Sequence, residues 1–227
     1  RVEAGETMSW LGEDKRDMEQ FISIEGGEYF LRSLERQVKI ESFEISKYPV
    51  TNRWYEEFIK DNGYVTKEYW GKEGWKWLTD ENIKQPGYWN DRKWKCPNSP
   101  VVGVSWYEAE AFANWLTAKR DDGNTYRLPN EKEWEAVSGG KKGREYSWGD
   151  VWDSNMCNNG EIDIDKTSLE GMFENGNTPE GVSDLNGNVW EWCMDWYGDS
   201  RSNRVLRGGS WFNNERLCRS AYRRYYH

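Results

Sequence analysis

The sequence contains no aliphatic run long enough to serve as a strand buried on both faces, so its interior must be built from something other than a parallel sheet. The large apolar residues it does have are mostly rings: sixteen Trp, thirteen Tyr and seven Phe in 227 residues. They are set among 22 Gly, many of them in Asn-Gly, Asp-Gly and Gly-Gly pairs that mark turns. A core of few bulky rings surrounded by polar loops follows, in one large domain or two small ones. No apolar stretch approaches the ~18 residues of a membrane span. The opening RVEAGETMSW carries no signal-peptide pattern, which leaves the compartment open: cell-surface or extracellular if a leader has been removed, cytoplasmic otherwise.

Composition also excludes chemistry. The single His is His227, so Ser-His-Asp and Cys-His catalysis and multi-His metal sites are ruled out. Cys96, Cys157, Cys193 and Cys218 are far apart, with no C-x-x-C pair, and read as buried thiols or at most one or two bridges. The net charge of −9 argues against nucleic acid as the main partner, and plain solubility is its simplest meaning. That charge is unevenly spread. Residues 201–227 hold seven Arg and one acidic residue, Glu215, a local +6 against −15 for the rest.

Along the chain, residues 1–20 form a polar lead-in with helical character over 13–21, followed by alternating strand patterns in FISIEGGEYFL and VKIESFEISKYPV. A helix is expected after Thr51 as N-cap, with Trp54, Tyr55 and Phe58 on one face and Gly63 as its stop. Residues 64–100 read as an irregular Trp- and Gly-rich insertion. A second helix opens on the capping box Ser105-x-x-Glu108 and a third on Asn130 with Glu133, ending at Gly139. Loops and short strands fill the remainder. Two or three helices with a long irregular β half make an α+β domain over 21–227.

Six segments, KYPVTNRWYEEFI, SPVVGVSWYEAEAFANWL, RLPNEKEWEAVSGG, WGDVWDSNMCN, DLNGNVWEW and RVLRGGSW, occur in the order and rough spacing of the formylglycine-generating-enzyme (sulfatase-modifying-factor) family, which the chain resembles from about Phe21 onward. The resemblance implies a Gly- and loop-rich elaboration of the C-type lectin fold with short antiparallel strands. Family members include oxidases, domains attached to other enzymes, and ligand-binding display proteins, so the fold leaves function open.

The family's copper-dependent oxidases convert a substrate Cys to formylglycine at a copper ion held by two thiolates just past the Arg-Gly-Gly-Ser-aromatic turn. Counted without gaps, those positions here are Asn213 and Cys218. Asn does not replace a thiolate on soft Cu(I), so no copper is expected and the oxidase is the alternative reading. The resemblance also implies Ca²⁺ in DLNGNVWEW, held by the Asp184 and Glu191 side chains with the carbonyls of Gly187 and Val189, where two carboxylates and loop carbonyls suit a hard cation. A second implied site starts at Asn158 and the Asn159 carbonyl, with Asp163 or Asp165 as candidates for its later ligands. The plainer readings are an Asx turn at Asp184 and a salt bridge from Glu191 to Arg207.

In the tail, Arg207, Gly208, Gly209, Ser210, Trp211, Cys218, Arg219, Ser220, Ala221 and Arg223 match the family scaffold. Between them stand Phe212, Asn213, Asn214, Arg216, Leu217, Tyr222, Arg224, Tyr225, Tyr226 and His227, which follow no packing period. Each of these residue types is reachable from an Asn codon by changing adenines alone. That pattern resembles the variable proteins of diversity-generating retroelements, whose C-terminal residues are rewritten at adenines on a fixed scaffold. The expected function is a non-catalytic display protein that uses about 212–227 to bind a protein or glycan surface, because Tyr, Arg, Asn and Phe give large contact area with adaptable hydrogen bonds. On burial preferences, two of Phe212, Leu217 and Tyr222 are expected in the core.

Overall fold

A computed structural model describes all residues except Arg1, 13–16, Met18 and His227. The strand patterns become two antiparallel pairs. In the first, β1 (Phe21–Ile24) pairs with β4 (Phe43–Ser46), with Phe21 opposite Ser46; in the second, β2 (Gly27–Leu31) pairs with β3 (Arg36–Ile40), with Gly27 opposite Ile40. A third sheet has the order β5 (Glu191–Trp196), β6 (Arg204–Arg207), β7 (Arg224–Tyr226), antiparallel throughout, with β7 at one edge. The α+β class therefore stands, with short antiparallel strands and long loops.

Among the described residues five α-helices accompany the sheets, against the two or three expected: α1 (Val2–Leu11), α2 (Asn52–Lys60), α3 (Lys72–Asp80), α4 (Trp106–Arg120) and α5 (Glu131–Gly139). The caps are those the sequence signals. The Thr51 side chain accepts from Trp54 N, and both Ser105/Glu108 and Asn130/Glu133 form reciprocal capping boxes. Three details differ. The helical character expected over 13–21 falls partly on residues outside the described set, and the helix that precedes it is α1, whose Ser9 is buried and accepts from Asn98 N. The turn after α2 is made by Asn62, at φ 62°, rather than by Gly63; a Cβ on Gly63 would lie 2.2 Å from the Phe58 ring, so close packing explains that glycine. Helix α3 lies inside the stretch read as irregular. Its Gly74, a helix-weakening residue in isolation, lets α3 approach α4 so closely that a Cβ there would meet Tyr107 at 3.2 Å.

Rings and aliphatics gather in two buried clusters. One joins α5 to the first strands and the third sheet through Ile24, Leu31, Trp134, Val182 and Val205; the other packs α2, α3 and α4 through Trp54, Phe58, Trp70, Leu78 and Trp115. No helix among the described residues is long and apolar enough to cross a membrane.

A charge lies inside the first cluster. Arg207, 1% exposed, pairs with Glu135 at 2.8 Å and reaches Glu131 at 3.7 Å, while its guanidinium donates to the Ser220 carbonyl at 2.9 Å. Removing one member of a buried pair strands the other charge in the interior. Arg207→Ala is expected to cost about 3–5 kcal/mol, measured by urea unfolding; a loss near that of a surface pair, below about 1 kcal/mol, would contradict this placement.

Candidate functional site

The tail is fixed to the scaffold by backbone before any side chain is considered. Gly187 N donates to Gly208 O at 2.8 Å, Trp211 N to Asn188 O at 2.9 Å and Gly160 N to Asn213 O at 2.9 Å. A Cβ on Gly208, at φ 95°, would stand 2.7 Å from Leu185 O, so the Arg-Gly-Gly-Ser turn packs directly on the Asp184–Glu191 segment. Residues 215–218 then make one 3-10 turn before β7.

The two classes of tail position separate in space, with few exceptions. Of the scaffold residues, Arg207, Gly208, Gly209, Ser210, Cys218 and Ser220 are buried. Phe212, Asn214, Arg216, Arg224, Tyr225 and Tyr226 are exposed, and Leu217 and Tyr222 are half-buried. None of Phe212, Leu217 and Tyr222 belongs to the buried core, contrary to the expectation that two would: Phe212 lies in a turn, Leu217 in the 3-10 turn and Tyr222 in the irregular stretch before β7, and none joins either core cluster. Asn213 is the opposite exception. It is buried, and its Oδ1 accepts from the Ser210 hydroxyl at 2.7 Å, so it is part of the scaffold and not of the displayed set. His227 lies outside the described residues.

Tyr222 and the exposed Arg224, Tyr225 and Tyr226 rest on rings from earlier in the chain. Tyr225 packs on Tyr197 with centroids 4.7 Å apart, Tyr226 on Trp192 at 6.5 Å and Tyr222 on Trp190 at 6.1 Å, while the Arg224 guanidinium lies over Trp190. Phe212 meets Trp211, which continues to Trp94 and Lys93. Sequence reasoning missed these supports, because a Trp in W-E-W at 190–192 gives no sign of which later segment folds over it.

Much of the tail's positive charge is committed internally. Arg207 is spent on Glu135; Arg223 pairs with Glu131 at 2.6 Å and Arg219 lies 3.7 Å from both Glu145 and Glu215. Arg204 lies between the rings of Trp106 and Trp196, at 3.5 and 3.4 Å, in a cation–π stack.

The loop with the implied cation ligands has an unusual backbone. Asp184, Gly187 and Asn188 all have positive φ (59°, 85° and 58°), which turns the loop tightly. Asp184 Oδ2 accepts from Gly171 N at 2.6 Å. Glu191 stands opposite Arg207 in the sheet register, yet the expected salt bridge does not form. Arg207 turns to Glu135, and Glu191 Oε2 accepts instead from the Trp134 indole at 2.9 Å. Its Oε1 is buried without a hydrogen-bond partner, and burial, aided by the nearby charge of Asp184, pushes the carboxyl up to about 8. An orphaned carboxylate oxygen beside a second carboxylate fits a hard cation, which would rest on Asp184, Glu191 and the carbonyls of Gly187 and Val189. No group of three or more acidic, His or Cys side chains that could hold a metal occurs among the described residues.

The second implied site fits less well. The Asn158 carbonyl is engaged by Asn188 N at 2.8 Å, Asn159 Oδ1 closes a local turn onto Glu161 N, and Asp163 and Asp165 stand exposed. The same segment brings a thiol toward Cys218: the Cys157 sulfur lies beside Gly187 and the Cys218 sulfur beside Gly209, close enough for the two thiols to influence each other. Both are buried, at 3% and 0% exposure. A cavity of about 440 Å³ opens between β4, α4 and the 124–129 loop and reaches Val189 and Glu191, its wall including rings such as Phe43, Tyr48, Phe112 and Trp190. Glu133 on that wall is committed to Arg127 at 2.7 Å.

Residues 7–227 match the family model of the sulfatase-modifying factor enzyme 1-like domain. The chain is 29% identical over 225 residues to a hercynine oxygenase of Mycolicibacterium thermoresistibile, covering 84% of this chain and 48% of that protein. It is 29% identical over 238 residues to the formylglycine-generating enzyme of Thermomonospora curvata, covering 81% and 75% respectively. The chain thus spans about half the length of the hercynine oxygenases it matches. In structure it is similar to Treponema denticola variable protein 1, with a TM-score of 0.67 at 22% identity over 91% of this chain and 88% of the other, which shows a common fold. With almost its whole length matched, this chain belongs to the sulfatase-modifying-factor (formylglycine-generating-enzyme-like) domain family.

Proposed function

We propose that this chain is a non-catalytic binding module that presents its C-terminal segment to a protein or glycan surface. The observation that carries this reading is the segregation in the tail: six of the ten family-type residues are buried, Phe212, Asn214, Arg216, Arg224, Tyr225 and Tyr226 are exposed, and Arg224, Tyr225 and Tyr226 lie on rings from earlier in the chain. Rings held by other rings lose little freedom on binding, and the exposed Arg and Asn side chains add adaptable hydrogen bonds. The fold shared with a Treponema variable protein supports a further reading, that the segment is diversified by a retroelement.

The oxidase alternative is less well supported. Counted without gaps, Asn213 stands at the place of the first copper thiolate and accepts a hydrogen bond from Ser210, and the second thiol near Cys218 is that of Cys157; both sulfurs are buried. Ca²⁺ in the Asp184–Glu191 loop would act as a structural brace, neutralising two carboxylates directly beneath the Arg-Gly-Gly-Ser turn.

Sequencing the coding DNA for 200–227 across a source population tests the diversification. Variation is expected at the codons of Phe212, Asn214, Arg216, Leu217, Tyr222, Arg224, Tyr225 and Tyr226, with an adenine-bearing near-copy in the flanking region and Asn213 unchanged because it is buried. An invariant tail without such a copy would reduce the site to a fixed binding surface. For the brace, added Ca²⁺ is expected to raise the melting temperature, by about 2.7 kcal/mol of stability at one hundred times the dissociation constant. A chelator should reverse the gain, and Glu191→Gln should not show it; a wild-type midpoint indifferent to Ca²⁺ would dismiss the site.

A further inference from the structure

All four cysteines are free and buried, but only one pair of them is placed to react together. Cys96 sits beside the Ser9 and Ser99 hydroxyls, and Cys193 is enclosed in the first core cluster. Cys157 and Cys218 instead approach one backbone crossing. A Cβ on Gly187 would lie 3.2 Å from the Cys157 sulfur, and a Cβ on Gly209 would lie 2.9 Å from the Cys218 sulfur, while Gly187 N and Gly208 O are hydrogen-bonded at 2.8 Å. The surrounding backbone is tied down: the Asn186 amide donates to Cys218 O at 2.6 Å, Asn188 N donates to Asn158 O at 2.8 Å, and Gly160 N donates to Asn213 O at 2.9 Å.

We infer that Cys157 and Cys218 are the two halves of a disulfide that cross-links the constant 157–160 segment to the displayed tail when the chain folds in an oxidising medium. The oxidant is a small-molecule disulfide. A thiolate of one cysteine attacks it and releases one small thiol, and the second cysteine then attacks the mixed disulfide and releases the other. Two thiols become one disulfide, two electrons pass to the oxidant, and the two protons leave on the released thiols. The neighbouring Cys218 thiol and burial keep Cys157 protonated once the fold is complete, so exchange belongs to the folding chain and not to the finished domain. The consequence is mechanical. The bond would hold the end of the 215–218 turn to the segment on which Phe212 and Asn213 rest, fixing the base of the displayed surface without using any displayed residue. The loop it closes is about 60 residues long, in the range where a cross-link removes substantial freedom from the unfolded chain.

The test is to refold the full chain from urea in oxidised and reduced glutathione, alkylate it in denaturant, and map the peptides by mass. The expected result is alkylation at Cys96 and Cys193 only, with one linked peptide pair containing Cys157 and Cys218, and four alkylated cysteines after reduction. Four alkylated cysteines under oxidising conditions, or a cross-link through Cys96 or Cys193, would overturn the inference. The oxidised form should melt roughly 5–10 °C above the reduced form, a difference that vanishes in Cys157→Ser; oxidised and reduced wild type with equal midpoints would show that the bond does not brace the fold.

Discussion

The structure depends on one backbone contact, the hydrogen bond from Gly187 N to Gly208 O, where the Asp184–Glu191 loop crosses the Arg-Gly-Gly-Ser turn. Neither chain could carry a side chain at the crossing. A Cβ on Gly187 would stand 2.3 Å from Asn158 O, and one on Gly208 would stand 2.7 Å from Leu185 O. Three segments distant in sequence therefore meet through main chain alone, and their polar groups are satisfied by one another as buried backbone requires. Trp134 and Arg207 close over this junction from the α5 side, and the tail leaves it in a fixed direction.

This arrangement explains why residues 201–227 of an acidic chain are rich in arginine. Arg207 and Arg223 are structural cations that tie the third sheet and the tail to the acids of α5, and Arg204 is an apolar-face filler between two indoles. Arg201, Arg216, Arg219 and Arg224 are exposed, Arg219 in reach of Glu145 and Glu215. The local +6 is thus two populations of arginine, one engaged within the fold and one at the surface. The rings follow the same division. Tyr197, Trp190 and Trp192 form a floor, and Tyr222, Tyr225 and Tyr226 lie on it.

Local signals in the sequence translated well into structure. The caps at Thr51, Ser105 and Asn130 depend only on neighbours a few residues away. Features decided by distant partners were not legible. Gly74 hides α3 because its reason is Tyr107 on another helix, and Glu191 lacks its expected Arg207 because Glu135 on α5 competes for the same guanidinium. In the tail, the division into scaffold and interleaved positions could be written from the sequence, but the burial of Asn213 and the exposure of Phe212 could not. They depend on Ser210 and on the 158–160 segment, which no spacing rule connects to them. The pairing of Cys157 with Cys218 was hidden for the same reason.

The central claim is that the scaffold folds without help from the residues it presents. The most direct measurement is the thermal midpoint and far-UV circular dichroism of a variant in which Phe212, Asn214, Arg216, Arg224, Tyr225 and Tyr226 are all replaced by Ser. The account predicts a cooperative transition within a few degrees of the wild type and an unchanged spectrum, because exposed substitutions cost little. A variant that fails to fold, or melts without cooperativity, would show that these side chains are part of the core and that the tail is not a display surface.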